Sequence, residues 1–139
     1  GACGNPSPGS CPTGYVKETS KTVDVAAADL TEAVARHNFG VLHSDDLPAK
    51  MAEKGVAFDR ACRILEVCNP RQAARVLQTD MTVSLALPCR IPVYEGGGGT
   101  KIGTLLPKAL IGMFPGAAGA AAVAEEVETE LRAIIDETV

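Results

Sequence analysis

The amino-acid sequence predicts an α+β fold: a small antiparallel or mixed sheet of about five strands, with two longer helices on one face and short helical insertions. The chain of 139 residues, 46% hydrophobic and 22% charged, can bury one core but not two. Apolar residues recur at helical spacing near both ends of the chain and alternate at strand spacing between them. We therefore divide the chain into a flexible tether, residues 1–14, and a single α/β domain, residues 15–139.

The tether is made mostly of Gly, Pro, Ser and Asn, which supply too little apolar surface to pack. Its first residues, Gly1-Ala2-Cys3, are similar to the end of a bacterial lipobox, whose cysteine is lipidated after signal cleavage. A lipid anchor at Cys3 would make the protein an extracytoplasmic lipoprotein of the periplasm or cell surface. If these residues are only an arbitrary start, a cytoplasmic location stays equally open.

The domain begins with a predicted strand, residues 15–19, which is followed by an amphipathic helix that ends by Gly40. The residues that form the apolar face of this helix are Val23, Ala27, Leu30 and Val34. A second short strand covers residues 41–43. Asp46 can then cap a brief helical turn that stops at Gly55, a residue type that tolerates positive φ.

A third strand is predicted over residues 60–67, followed by a short helix. Asn69 is a preferred N-cap, Pro70 suits the first helical position, and Gln72 stands where the partner in a capping box belongs. The sequence therefore predicts that Cys68 lies between the end of a strand and the start of a helix.

The longest strand is predicted over residues 82–94, where apolar residues alternate and place Cys89 on the core face. Because Pro88 and Pro92 cannot donate to a ladder, we expect this strand to lie at an edge or to be bulged near Cys89. Gly96 to Gly99 then form a hairpin into a strand over residues 101–106.

The uncharged stretch 109–124 contains a proline and three glycines and is shorter than the roughly 20 apolar residues that span a bilayer. We interpret it as a buried loop rather than a transmembrane helix. It leads to a final helix with an apolar face formed by Val123, Val127, Leu131 and Ile134.

The charge pattern argues against nucleic acid as a partner. The 13 basic and 17 acidic residues give a formal net charge of -4, and the basic residues are scattered rather than clustered into a stripe that faces phosphates.

Two segments resemble the signature of a family of unknown function, the domain family numbered 302. They are RILEVCNPRQAARVL, residues 63–77, and SLALPCRIPVYE, residues 84–95. The resemblance extends over residues 15–139 and implies a TATA-binding-protein-like β-α-β(4)-α arrangement that tends to form homodimers. It implies no activity.

The two cysteines of this signature are the candidate catalytic residues. Unpaired N–H groups at the start of a helix favour a thiolate, so Cys68 is predicted to be nucleophilic near neutral pH. If the strand of Cys89 returns beside that of Cys68, the two sulfurs meet. A pair of this kind supports reversible disulfide formation, persulfide carriage or the binding of soft centres such as Cu(I) or haem iron.

Further candidate residues are charged. Arg71, Arg75 and Arg90 are placed to surround the thiols and bind a small anion or sulfur oxyanion, although such arginines more often form a solvated face. His43, with Asp45 and Asp46, resembles a metal or acid–base cluster, although adjacent acids before a helix are usually caps.

Two functional hypotheses remain. The first is a thiol-based redox, sulfur-carrier or soft-metal or haem-binding module in which Cys68 and Cys89 act together. The second is a non-catalytic, dimeric binding or scaffold domain, with a small-ligand pocket between the sheet and the final helix and structural cysteines. In an oxidising compartment, Cys68 with Cys89 or Cys62 can also form a purely structural disulfide.

Overall fold

A computed structural model describes residues 11–139 of the chain. The strands within this range are β1 (Gly14–Thr19), β2 (Gly40–Asp46), β3 (Cys62–Cys68), β4 (Cys89–Gly96) and β5 (Gly99–Leu105). The α-helices are α1 (Val23–Arg36), α2 (Leu47–Glu53), α3 (Pro70–Thr79), α4 (Pro107–Ile111) and α5 (Ala121–Thr138), and two 3-10 helices cover Met81–Ala86 and Pro115–Ala120.

The five strands form one antiparallel sheet in the order β1-β5-β4-β3-β2. In the centre of the sheet, Leu65 pairs with Ile91, and Val93 pairs with Ile102. The predicted α+β class and the five-stranded sheet are confirmed, and the chain order of long helices and strands is β-α-β(4)-α. β1 begins at Gly14, one residue before the predicted strand, after a turn in which the Gly14 N–H donates to the Cys11 carbonyl.

The two longer helices, α1 and α5, pack against each other over one face of the sheet. The predicted apolar positions of both helices are buried in the common core. Those on α1 are Val23, Ala27, Leu30 and Val34, and those on α5 are Val123, Val127, Leu131 and Ile134. Burial of these side chains provides most of the driving force that holds the helical layer on the sheet.

Capping residues set the starts of the short helices as predicted. The Asp46 carboxylate accepts from the Ala49 N–H at 3.1 Å at the start of α2, and the Asn69 side chain accepts from the Gln72 N–H at 3.1 Å at the start of α3. The capping-box role of the Gln72 side chain is wrong, because its amide oxygen is buried without a hydrogen-bond partner in the described chain.

The predicted strand over residues 82–94 is wrong in its first half, which is the 3-10 helix Met81–Ala86. Asp80 is the N-cap of this helix, because its carboxylate accepts from the N–H of Thr82 at 2.9 Å and from the hydroxyl of Thr82 at 2.7 Å. The alternation of apolar residues does not mark a buried strand face here, because Val83 is buried, with 4% of its surface exposed, whereas Leu85 is 84% exposed.

The strand β4 begins at Cys89, lies in the middle of the sheet and pairs with β3 in unbroken register from Cys89 to Tyr94, so both predicted alternatives, an edge position and a bulge near Cys89, are wrong. Pro88 and Pro92 are compatible with this central position because neither has to donate to a ladder hydrogen bond. Pro88 precedes the strand, and the ladder between β4 and β5 begins at Val93, one residue after Pro92, which has no N–H to donate.

The uncharged stretch 109–124 is more regular than the predicted loop. It contains the end of α4, the second 3-10 helix and the start of α5, and Ala117 and Ala120 are buried within it. In agreement with the prediction, no helix among residues 11–139 has the length and hydropathy needed to cross a membrane.

Candidate functional site

An apolar cavity lies where the end of β3 and the start of β4 meet the short helices. Its size is about 70 Å³, roughly half of the ~150 Å³ that accommodates benzene in an apolar protein cavity. The residues that line it are Phe39, Val67, Cys68, Asn69, Gln72, Ala73, Val76, Val83, Ala86, Leu87, Pro88, Cys89, Pro107, Leu110, Ile111, Ala124 and Val127. The cavity therefore has room for a molecule, or part of one, with a few heavy atoms.

The sheet register brings the two signature cysteines to this cavity. Cys68 is the last residue of β3 and Cys89 is the first residue of β4, and Cys89 pairs directly with Val67. Both thiols line the cavity wall. The prediction that the strand of Cys89 returns beside the strand of Cys68 is confirmed, and negative charge on Cys68 contributes to the pKa of Cys89.

The environment of both thiols favours the neutral form. Burial, reinforced by the charge of Cys68, raises the pKa of Cys89 to about 11, and burial also raises the pKa of Cys68. The expected activation of Cys68 by the start of α3 is therefore wrong in direction. Cys68 does precede the helix, but the cause that shifts its pKa is burial, and the shift is upward.

Most of the cavity wall comes from aliphatic and aromatic side chains. The polar side chains among the lining residues, apart from the thiols, are Asn69 and Gln72. The Asn69 side-chain oxygen caps α3, so it is already satisfied, whereas the Gln72 amide oxygen is buried and unpartnered. A molecule in the cavity would therefore contact hydrocarbon and two neutral thiols.

The three candidate arginines do not line the cavity. Arg75 pairs with Glu126 at 2.8 Å, and Arg90 pairs with Glu66 at 3.5 Å across β3 and β4. Arg71 is exposed on the first turn of α3. The structure therefore does not bring their charges to the thiols, and the predicted anion site gains no support from their placement.

His43 lies on β2, away from the cavity, and its Nε2 is 2.9 Å from a carboxylate oxygen of Asp45. Asp46 caps α2, which is the usual role of an acid before a helix. Between residues 11 and 139, no group of three or more His, Cys, Asp and Glu side chains is placed to hold a metal ion. Of the two acids predicted to act with His43, Asp45 is therefore its partner, whereas Asp46 caps α2.

The remaining cysteines lie elsewhere. Cys62 is half-buried at the far end of β3, Cys11 is exposed, and both are free thiols in this structure, as are Cys68 and Cys89. Cys3 and most of the predicted tether lie outside the described residues, so the proposed lipid anchor stays a prediction. The prediction that copies of the chain pair as a homodimer also stays a prediction.

The sequence analysis missed two features of the site region. The helix α4 contributes Pro107, Leu110 and Ile111 to the cavity wall, and the uncharged character of residues 109–124 was the available signal. The second feature is a polar cluster outside the cavity, in which the two ring nitrogens of His37 contact the carboxylates of Glu130 and Glu137 on α5.

Comparison with known proteins gives a family and a solved structure. The family model described as "Domain of unknown function DUF302" matches residues 15–138. The crystal structure of an uncharacterized conserved DUF302 protein from Bacillus stearothermophilus is similar to this chain, with a TM-score of 0.85 and 35% sequence identity. The similarity covers 93% of this chain and 100% of that one. A search of curated proteins finds no match.

Proposed function

This chain belongs to the DUF302 family, whose description assigns no activity, and we propose that it is a binding domain for a small, largely apolar ligand. The observation that carries the proposal is the apolar cavity of about 70 Å³ between the sheet, α3, α4 and α5, with the two signature cysteines in its wall. Preformed apolar pockets with a few polar groups are the usual form of small-molecule sites.

The state of the thiols supports binding rather than nucleophilic catalysis. A thiol is a nucleophile as its thiolate, and the raised pKa values keep Cys68 and Cys89 protonated near neutral pH. As neutral groups, both side chains act as small, polarizable apolar surfaces suited to contact with a ligand.

A cavity-filling substitution tests the proposal. Ala73→Leu on α3 places extra methyl groups in the cavity wall, and Ala74→Leu, on the exposed side of the same helix, is the matched control. We expect alcohols and ketones of about four heavy atoms, such as propan-2-ol and acetone, to shift the amide resonances of Val67 and Cys89 in the parent and in the control, and to lose at least tenfold in affinity in Ala73→Leu. Equal affinity in all three proteins, or no binding to any of them, would contradict the proposal.

A second candidate function uses the two thiols as a pair, and the charge coupling between Cys68 and Cys89 favours it. Oxidation by a peroxide would join the two sulfurs, with the two electrons and two thiol protons passing to the oxidant, which gives two water molecules from hydrogen peroxide or one water and one alcohol from an organic hydroperoxide. Alternatively, Cu(I) would displace both protons and bind two soft thiolate ligands, with an affinity that rises with pH. We do not extend this proposal to haem, because a porphyrin is much larger than the cavity.

The second candidate is tested on cysteine variants. After peroxide treatment, we expect an intact mass two hydrogens lower in the parent protein and in Cys62→Ser, and an unchanged mass in Cys68→Ser and Cys89→Ser. Cu(I) should be held against a competing chelator by the same two proteins only. An unchanged parent mass together with no Cu(I) retention would leave ligand binding as the function.

A further inference from the structure

We infer that the ligand of this cavity is a single-chain amphiphile, whose terminal methyl end fills the cavity while the rest of its alkyl chain lies on exposed apolar side chains beside the mouth. This inference rests on the proposed binding function and specifies its ligand class.

The chemistry of the cavity wall decides which end of such a molecule enters. The wall presents almost no polar surface, and its two thiols are neutral. A hydroxyl, amide or charged group inside would lose its hydrogen bonds to water without replacing them, which is costly. An alkyl end has no such bonds to lose, so the hydrocarbon part of the ligand enters and the polar head stays in solvent.

The size of the cavity shows that an alkyl end alone is a weak ligand. The volume of about 70 Å³ holds about four heavy atoms. Even at the highest efficiency observed for small ligands, about four heavy atoms give a dissociation constant of about 40 µM. Tighter binding therefore requires contacts between the ligand and the protein outside the cavity.

Two exposed apolar side chains beside the cavity are placed to make such contacts. Leu85, in the 3-10 helix Met81–Ala86, is 84% exposed and directly precedes three half-buried wall residues, 86–88. Met113 is 72% exposed, and its N–H donates at 3.0 Å to the carbonyl of Leu110, another half-buried wall residue. The apolar wall therefore reaches the surface next to both exposed side chains.

A free amphiphile suits this surface better than a bilayer does. The strength with which a protein binds a bilayer scales with the apolar area that it buries there, and two side chains supply little area. A single alkyl chain needs contacts only along its own length, and the cavity accepts one chain end.

The test compares 1-butanol, whose carbons fill the cavity, with 1-octanol, which extends beyond it. Dissociation constants come from titrations followed by the amide resonances of Val67 and Cys89. The parent protein should bind 1-octanol about tenfold more tightly, because half-burial of each additional methylene gives about a twofold gain. Leu85→Ser and Met113→Ser should each lose about threefold in affinity for 1-octanol and keep the parent's affinity for 1-butanol. Val56→Ser, at an exposed apolar residue after α2, is the matched control and should bind both alcohols as the parent does.

Each outcome has a separate meaning. If the parent binds both alcohols equally, or if both serine variants at the mouth keep the full gain for 1-octanol, the inference is overturned and the binding function survives. Ala73→Leu should weaken the binding of both alcohols, and an unchanged affinity for 1-octanol would show that the chain end does not enter the cavity. Retention of the parent on phosphatidylcholine vesicles, abolished in Leu85→Ser and Met113→Ser, would assign this surface to a bilayer instead. If neither alcohol binds the parent at any soluble concentration, both the proposed function and the inference fail.

Discussion

The helical layer has two regions that differ in how deeply they are packed. The long helices α1 and α5 bury six and seven residues respectively, whereas α3 buries Val76, the 3-10 helix Met81–Ala86 buries Val83, and α4 buries none. Since burial of apolar side chains is the main source of stability, the first region holds the fold together. In the second region, which consists of α3, α4 and the 3-10 helix, apolar side chains line the wall of a cavity.

This difference separates the stabilising core from the proposed binding site within one small domain. Side chains of α1 and most of those of α5 fill the space they face, while those of α3, α4 and the 3-10 helix, with Ala124 and Val127 of α5, stop short of filling theirs and leave the recess at the two thiols. Substitutions in the two regions should therefore have different consequences. The long-helix region should respond in its free energy of unfolding, and the short-helix region in its affinity for ligands.

The largest expected effect is a direct comparison of two leucines. Leu131 on α5 is fully buried, and Leu110 on α4 is a half-buried residue of the cavity wall. Leu131→Ala should lower the free energy of unfolding by about 2–5 kcal/mol, the usual cost of a new cavity in a packed core. Leu110→Ala should cost about 1 kcal/mol, because its surroundings are already open. Urea unfolding measures both, and equal costs would break the comparison.

A smaller effect concerns Cys89, whose thiol makes the free energy of unfolding depend on pH. The pKa of Cys89 rises from 9.0 in the unfolded chain to about 11 in the folded protein, so the folded state binds the proton more tightly. The resulting stabilisation is complete below pH 9 and is lost as the pH rises towards 11, by about 2–3 kcal/mol in total.

Urea unfolding between pH 8 and pH 10.5 measures this loss. Cys89→Ala should lose less stability over the range than the parent, while Cys11→Ala, which removes an exposed thiol, should follow the parent. If Cys89→Ala and the parent lost stability equally, Cys89 would ionise in the folded protein as readily as in the unfolded chain.

The long-helix region was predictable from sequence because its signal is local. Residues such as Leu30 and Leu131 recur every three or four positions, and this spacing places them on one face of a helix whatever the rest of the chain does. The caps at Asp46 and Asn69 depend on the next three residues alone, so they were predictable for the same reason.

The short-helix region was predictable only in part, because its structure depends on distant contacts. The sequence analysis correctly placed Cys68 before a helix and Cys89 in the neighbouring strand. One local signal was missed: the alternation through Val83 and Leu85 fits a strand equally well, but the Asp80 carboxylate accepts hydrogen bonds from the N–H and the hydroxyl of Thr82 and so caps the 3-10 helix. The pKa of Cys68 was predicted in the wrong direction because burial depends on tertiary packing, to which residues far along the chain contribute.

The smallest expected effect concerns the polar contacts between α1 and α5 in the well-packed region. His37 at the end of α1 contacts Glu130 and Glu137 on α5, and Arg36 pairs with Glu137 at 3.2 Å. Burial alone would lower the pKa of His37, but the hydrogen bonds that the Glu137 and Glu130 carboxylates accept from its ring outweigh burial and raise the pKa. The stabilisation is therefore complete below the unfolded pKa of 6.5 and fades as the pH rises through the pKa of the folded protein.

His37→Gln should lower the free energy of unfolding more at pH 5.5 than at pH 8.5. His43→Gln, at an exposed histidine with one carboxylate partner, should change the free energy of unfolding less at both pH values. An equal loss for His37→Gln at the two pH values would show that the contribution of His37 does not depend on its protonation.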